Sequence, residues 1–160
     1  YFPIWQKVIQ ILDKDSVIAD FGCGVGQFAQ LAISSGINYA YGVDFSEKAI
    51  EMAKERNKLD CFYLANLYDE SCYSIKYYNT AILLEVLEHV EQDLKILSYL
   101  PSGIRAIFSV PNFDDPAHLR TYNHATIKER YEGILDISEI TTFKLRGQAE
   151  IYLCDAKKSV

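Results

Sequence analysis

Two rhythms alternate along this chain: short apolar runs of strand length, and longer stretches in which apolar residues recur at helical spacing. Trp5, Val8, Ile9 and Leu12 share one face, which predicts an amphipathic helix over 1–12. Asp13-Lys14-Asp15-Ser16 is a polar turn into a first strand that starts at Val17. Phe28, Leu31 and Ala32 mark the next helix, stopped at Ser34-Ser35-Gly36, and Ile37–Val43 is a second strand ending at Asp44. Ser46 is placed as the N-cap of a third helix, with Phe45 and Ile50 as a hydrophobic staple. Glu47 at its start and Lys54 and Arg56 at its end suit the helix dipole. Cys61–Ala65 is a third strand. The Tyr-rich stretch 68–78 fits a short helix or an irregular loop.

Thr80–Leu84 is a fourth strand, followed by a helical stripe of Val90, Leu94, Leu97 and Leu100 that ends at Pro101-Ser102-Gly103. Ile104–Val110 is a fifth strand, and Pro111–Tyr122 is a loop too long for a plain connector. Asn123 caps a short helix through Tyr131, and Ile134–Leu145 and Ala149–Ala156 form a closing hairpin around Arg146-Gly147-Gln148. Strands alternating with helices indicate an α/β protein with a parallel sheet.

Composition narrows this picture. With 160 residues, 49% of them hydrophobic, the chain reads as one domain over 1–160, a helix over 1–12 and a core over 17–157. Four scattered cysteines lack zinc-site spacing and fit the reducing cytosol. No apolar run approaches the length of a membrane span. A net charge of −6 argues against broad contact with a nucleic-acid backbone.

The chemistry concentrates in Val17-Ile18-Ala19-Asp20-Phe21-Gly22-Cys23-Gly24-Val25-Gly26, a strand, a tight turn and a helix opening. Glycines there admit positive φ and let a ligand approach the backbone. A dinucleotide fingerprint would place its third glycine at Gln27, and Asp20 ahead of the turn suits a cationic group better than a pyrophosphate. Asp44, at the end of the next strand, is at the separation of about 20 residues expected for an acid holding ribose hydroxyls. Asn66, just past the third strand, offers a carbonyl to an adenine amine or serves its own turn.

Five βα units and a hairpin, with Asp20–Gly26, Val43-Asp44 and Glu85-Val86-Leu87-Glu88-His89-Val90, resemble the class I S-adenosylmethionine-dependent methyltransferases over nearly all of 17–156. The resemblance implies a three-layer αβα Rossmann-like sheet of order 3-2-1-4-5-7-6 with strand 7 antiparallel. It implies that Asp20 and the loop of Gly22, Cys23, Gly24 and Gly26 hold the methionine part of the cofactor, with S-adenosylhomocysteine as product. Asp44 would take the ribose, Phe45 would flank the adenine, Asn66 would replace the usual Asp, and Leu67 would add a backbone N–H. Glu85 would lie near the sulfonium.

The expected acceptor is a small molecule methylated on O or N; an RNA or protein acceptor, or a non-catalytic partner subunit, is the alternative. His89 is the candidate base or closes the fourth-strand turn, and His118 orients the acceptor or packs its loop. Arg120 grips an acidic substrate group or is simply solvated. Glu85, Glu88, His89 and His118 also resemble the ligand set of metal-dependent O-methyltransferases. Metal-free relatives carry a similar turn, so a divalent cation is possible here but not favoured. The covering of the acceptor site and the oligomeric state stay open.

Overall fold

The computed structural model describes all residues, Tyr1–Val160. Seven strands, β1 (Val17–Phe21), β2 (Asn38–Asp44), β3 (Phe62–Leu64), β4 (Thr80–Leu84), β5 (Arg105–Pro111), β6 (Leu135–Lys144) and β7 (Glu150–Lys158), form one sheet. The order is β3-β2-β1-β4-β5-β7-β6, as expected. β1 pairs in parallel with β2 and β4, β2 in parallel with β3, and β7 is antiparallel to both β5 and β6. The helices are α1 (Phe2–Ile11), α2 (Gln27–Ser34), α3 (Glu47–Asn57), α4 (Asp93–Ser98) and α5 (His124–Tyr131). No helix is long and apolar enough to cross a membrane. The chain divides into two compact units, Tyr1–Ile82 and Leu83–Val160.

In the first unit α1 buries Ile4 and Val8 and packs on α2, while α2 and α3 pack on β2. Their shared core is Cys23, Ala29, Ile50, Ala53, Cys61 and Phe62, with Ile33 and Tyr39 against it. A second, aromatic cluster gathers Phe21, Tyr41, Tyr73 and Tyr78, in which Phe21 and Tyr73 stack at 4.6 Å. Tyr73 belongs to a 3-10 turn, Glu70–Ser74, and the Tyr41 hydroxyl donates to the Cys72 carbonyl at 3.0 Å. The Tyr-rich stretch thus supplies core residues to the strands. Ser46 caps α3 by accepting from the Ala49 N–H at 3.3 Å. The staple does not form: Ile50 is buried, whereas Phe45 is 81% exposed.

In the second unit Asn123 caps α5 through a reciprocal capping box with Thr126. The helix predicted from Val90 to Leu100 is shorter than its stripe. A 3-10 turn, Leu87–His89, precedes α4; the carbonyls of Val90 and Glu91 point to the Arg120 guanidinium instead of into a helical ladder, and that of Leu87 accepts from it as well as from the Val90 N–H. Asp93, fully buried at the start of α4, takes two bonds from Arg130 (2.7 and 2.6 Å) and one from the Tyr131 hydroxyl (3.0 Å). A buried acid with this many donors is satisfied, and the bidentate pair ties α5 to α4.

Candidate functional site

The glycine loop is built from the end of β1. Gly22 and Cys23 both donate their N–H to the Val43 carbonyl, at 2.8 and 2.9 Å, so the chain turns sharply beside β2. Gly22, Gly24 and Gly26 have φ of 85°, 51° and 71°, the left-handed region in which a side chain is strained. They do different jobs. A Cβ on Gly26 would strike the Asn57 side chain and press on Ala53, so this glycine lets α3 approach. Asn57 completes the contact by donating to the Gly26 carbonyl at 3.1 Å. A Cβ on Gly24 would meet nothing within 4 Å, so the backbone there borders open space.

Asp44 crosses to this loop. Its Oδ2 accepts from the Gly24 N–H and its Oδ1 from the Ser46 N–H, both at 2.9 Å, which joins the glycine turn to the start of α3. Phe45 stands exposed beside it. Asn66 is exposed, and its side-chain oxygen accepts from the Tyr68 N–H at 3.0 Å, the turn role weighed for it in the sequence. Leu67 is half-buried, and its carbonyl accepts from the Tyr73 hydroxyl at 3.0 Å.

Asp20, only 3% exposed, lies between Gly42 of β2 and Ile82 of β4. The Tyr39 hydroxyl donates to its Oδ2 at 3.0 Å. Burial pushes the Asp20 carboxyl up to about 7, against the pull of the Tyr39 bond and helped by the nearby Asp44 charge. Burial also raises the Cys23 thiol, which stays an inert apolar group.

The second unit holds the other expected residues. Glu85 has φ +57°, a strained conformation for a non-glycine residue. The Ser109 hydroxyl accepts from the Glu85 N–H at 3.0 Å and donates to Glu85 Oε1 at 2.7 Å. Burial raises the Glu85 carboxyl above its ordinary range, and the Ser109 bond opposes that shift. Glu88 is fully buried, and neither of its carboxylate oxygens has a hydrogen-bond partner. Burial, reinforced by Glu85, lifts it to about 8.

Next to Glu88 stand two histidines with their rings edge to face, 5.0 Å apart. His89 Nδ1 lies 2.9 Å from the Ala117 carbonyl and His118 Nδ1 lies 3.0 Å from the Phe113 carbonyl. A carbonyl only accepts, so each Nδ1 carries a proton, which in the neutral imidazole leaves the lone pair on Nε2. His89 Nε2 is 3.8 Å from Glu88 Oε1. One ligand atom from each of Glu88, His89 and His118 lies within 4.8 Å of the others. Glu85, expected in the same ligand set, is not among these three and is engaged by Ser109.

Arg120 takes neither role expected for it. Its guanidinium donates to the carbonyls of Leu87, Val90 and Glu91 at 2.9, 2.7 and 3.0 Å, and it sits 3.4 Å from Asp93. The Leu119 N–H donates to the Glu88 carbonyl at 2.8 Å, so the loop after β5 is tied to the turn after β4. Tyr39, Ser109 and Asn57 are the residues that sequence reasoning missed. Only Gly42, a glycine inside a strand, hinted that something approaches there.

A family model described as a methyltransferase domain matches residues 3–144. A ribosomal protein L11 methyltransferase from Paraburkholderia phymatum is 39% identical over 57 residues, covering 34% of this chain and 19% of that protein. The match therefore spans about a fifth of the curated relative's length. Among solved structures, magnesium protoporphyrin IX methyltransferase from Synechocystis PCC 6803 with bound S-adenosylhomocysteine aligns with a TM-score of 0.76 and 20% identity, over 98% of this chain and 83% of that one. The 1,6-didemethyltoxoflavin-N1-methyltransferase of Burkholderia thailandensis aligns with a TM-score of 0.77 and 16% identity, over 99% and 77%. At these identities the structural likeness is one of fold.

Proposed function

Because this chain belongs to the methyltransferase domain family and has the class I fold of S-adenosylmethionine-dependent enzymes, we propose that it transfers a methyl group from S-adenosylmethionine to an oxygen or nitrogen of a small molecule. The observation that carries this reading is the glycine loop, whose Gly24 backbone borders open space and donates its N–H to the Asp44 carboxylate. In this reading Asp20 takes the ammonium of the methionine part, while Gly22, Cys23, Gly24 and Gly26 line it. Asp44 has lone pairs left for the ribose hydroxyls, exposed Phe45 covers the adenine, and Asn66 and Leu67 border it. Glu85 is the carboxylate assigned to the sulfonium side.

Methyl transfer from a sulfonium is an in-line displacement. The acceptor's lone pair forms the new bond to carbon as the C–S pair returns to sulfur, leaving S-adenosylhomocysteine. Most of the protein's contribution is alignment and exclusion of water. A hydroxyl or amine acceptor also gives up a proton, and the free Nε2 of His89 or His118 is the group to receive it. Small-molecule acceptors in the names of two structural neighbours support the substrate class. The short match to an enzyme of ribosomal protein L11 keeps a protein acceptor as the alternative.

A specific observation favours an alternative role for these two histidines, in place of proton acceptance: a divalent cation at Glu88, His89 and His118. It is supported by a buried carboxylate without a donor beside two imidazoles whose Nδ1 atoms face carbonyls, a set of donors and outer partners that suits a metal ion. The residues fit the group, which would polarise an acceptor hydroxyl when bound.

Titration calorimetry with S-adenosylmethionine, S-adenosylhomocysteine and NADH tests the main reading. Binding of the first two and not the third is expected. NADH binding without a response to S-adenosylhomocysteine overturns it.

A further inference from the structure

Asp20 is an unusual group to bury. It sits inside a parallel sheet at 3% exposure, where a carboxylate normally requires charged or multiple donors to remain ionised. Its side-chain donor is the neutral hydroxyl of Tyr39, at 3.0 Å from Oδ2. The other titratable groups around it are Cys23 in the glycine loop and Asp44 at the end of β2, and neither supplies positive charge.

The sequence gives up a side chain to let Tyr39 reach this acid. Gly42 pairs directly with Asp20 across the β1–β2 ladder, and a Cβ there would collide with the Tyr39 hydroxyl and with Cys23. Glycine inside a strand is less stable than alanine there, so the gap is a local concession to the Tyr39 side chain. The ring is held by Phe62, 5.7 Å away, and by the core between α2, α3 and the sheet. Burial raises the hydroxyl's own pKa well above its ordinary range, which keeps it a donor.

We infer that Tyr39 is a positioning residue for methyl-donor binding: by holding Oδ2 it aims the Asp20 carboxylate, leaving Oδ1 to take the ammonium of the donor's amino-acid arm. This rests on the proposed reading of the glycine loop as the donor site. The bond also favours the ionised carboxylate that a cation requires, so binding of the ammonium below about pH 7 displaces a proton from Asp20.

The test uses two ligands that differ at the invoked contact, S-adenosylhomocysteine and methylthioadenosine, which lacks the amino-acid arm. Tyr39→Phe keeps the ring and removes the donor. It is expected to weaken S-adenosylhomocysteine about tenfold while methylthioadenosine stays within about twofold, the size of one hydrogen bond to a charged group. In the unaltered protein, affinity for S-adenosylhomocysteine is expected to rise as pH passes through about 7 and then level off, with methylthioadenosine flat. In Tyr39→Phe that rise moves to higher pH. Asp20→Asn is expected to bring S-adenosylhomocysteine down towards methylthioadenosine. Equal losses of both ligands in Tyr39→Phe, an unchanged S-adenosylhomocysteine affinity, or identical pH profiles for the two ligands in the unaltered protein overturn the role of Tyr39. Failure of the unaltered protein to bind either ligand overturns the donor site itself, and the inference with it.

Discussion

Ser109 and Glu85 close a two-bond ring: the hydroxyl accepts from the Glu85 N–H at 3.0 Å and donates to Glu85 Oε1 at 2.7 Å. One side chain on β5 thereby fixes both the backbone and the carboxylate of a residue at φ +57°. Ser109→Ala is expected to cost about 1–3 kcal/mol in urea unfolding, because a buried N–H loses its acceptor. Glu85→Gly relieves the backbone strain and is expected to cost less stability while removing the carboxylate. Equal losses in the two variants would contradict the strain argument.

The second and third glycines of the loop, Gly24 and Gly26, separate stability from binding. Gly24→Ala places a methyl in open space, so it is expected to cost about 1 kcal/mol for the left-handed backbone and to reduce S-adenosylhomocysteine binding sharply. Gly26→Ala adds a collision with Asn57 and Ala53 and is expected to cost about 2–3 kcal/mol. Thermal melts with and without the ligand distinguish the two.

Asp44 joins Gly24 to Ser46 through both oxygens. Asp44→Ala is expected to abolish measurable S-adenosylhomocysteine binding in calorimetry. Retained affinity would remove Asp44 from the donor site.

Asp20 has a worked pH consequence. Its carboxyl is at about 7 in the folded protein against an ordinary 3.8, so between these values the folded state holds more protons than the unfolded one. Stability from this group therefore falls as pH rises through that window and is constant above it. Asp20→Asn is expected to melt higher than the parent above pH 7, by on the order of 1–3 kcal/mol, and to match it near pH 4. A destabilised variant at pH 8 would refute the assignment.

Under the proposed metal reading, Glu88 would offer a cation its buried carboxylate. Mn²⁺ titration should give one site in the unaltered protein, weakened at least tenfold in Glu88→Gln. Absence of Mn²⁺ and Zn²⁺ binding rejects the metal element without touching the donor reading.

Features that depend on neighbours along the chain could be seen in the sequence. The glycine turn and the Ser46 and Asn123 caps follow from local spacing, and the strand order is implied by the family resemblance. Features made by residues far apart could not. Tyr39 meets Asp20 across two strands, Ser109 meets Glu85 from another strand, and Arg120 draws carbonyls away from the helix expected after Val90. Phe45 occupied a staple position by spacing, yet it faces solvent while Ile50 goes to the core. Spacing predicts which positions are adjacent; it does not reveal which competing partner wins.

The Arg120 strap has a further consequence. With its guanidinium on three carbonyls and the Leu119 N–H on Glu88, the segment around His118 acquires its shape when the chain folds. The entropy of ordering that segment is lost once, at folding, and on the proposed reading would not recur with each acceptor that arrives. A change of acceptor preference at this edge is therefore expected to come from replacing side chains on a fixed backbone. Substitution of Arg120 would return that ordering cost to every encounter.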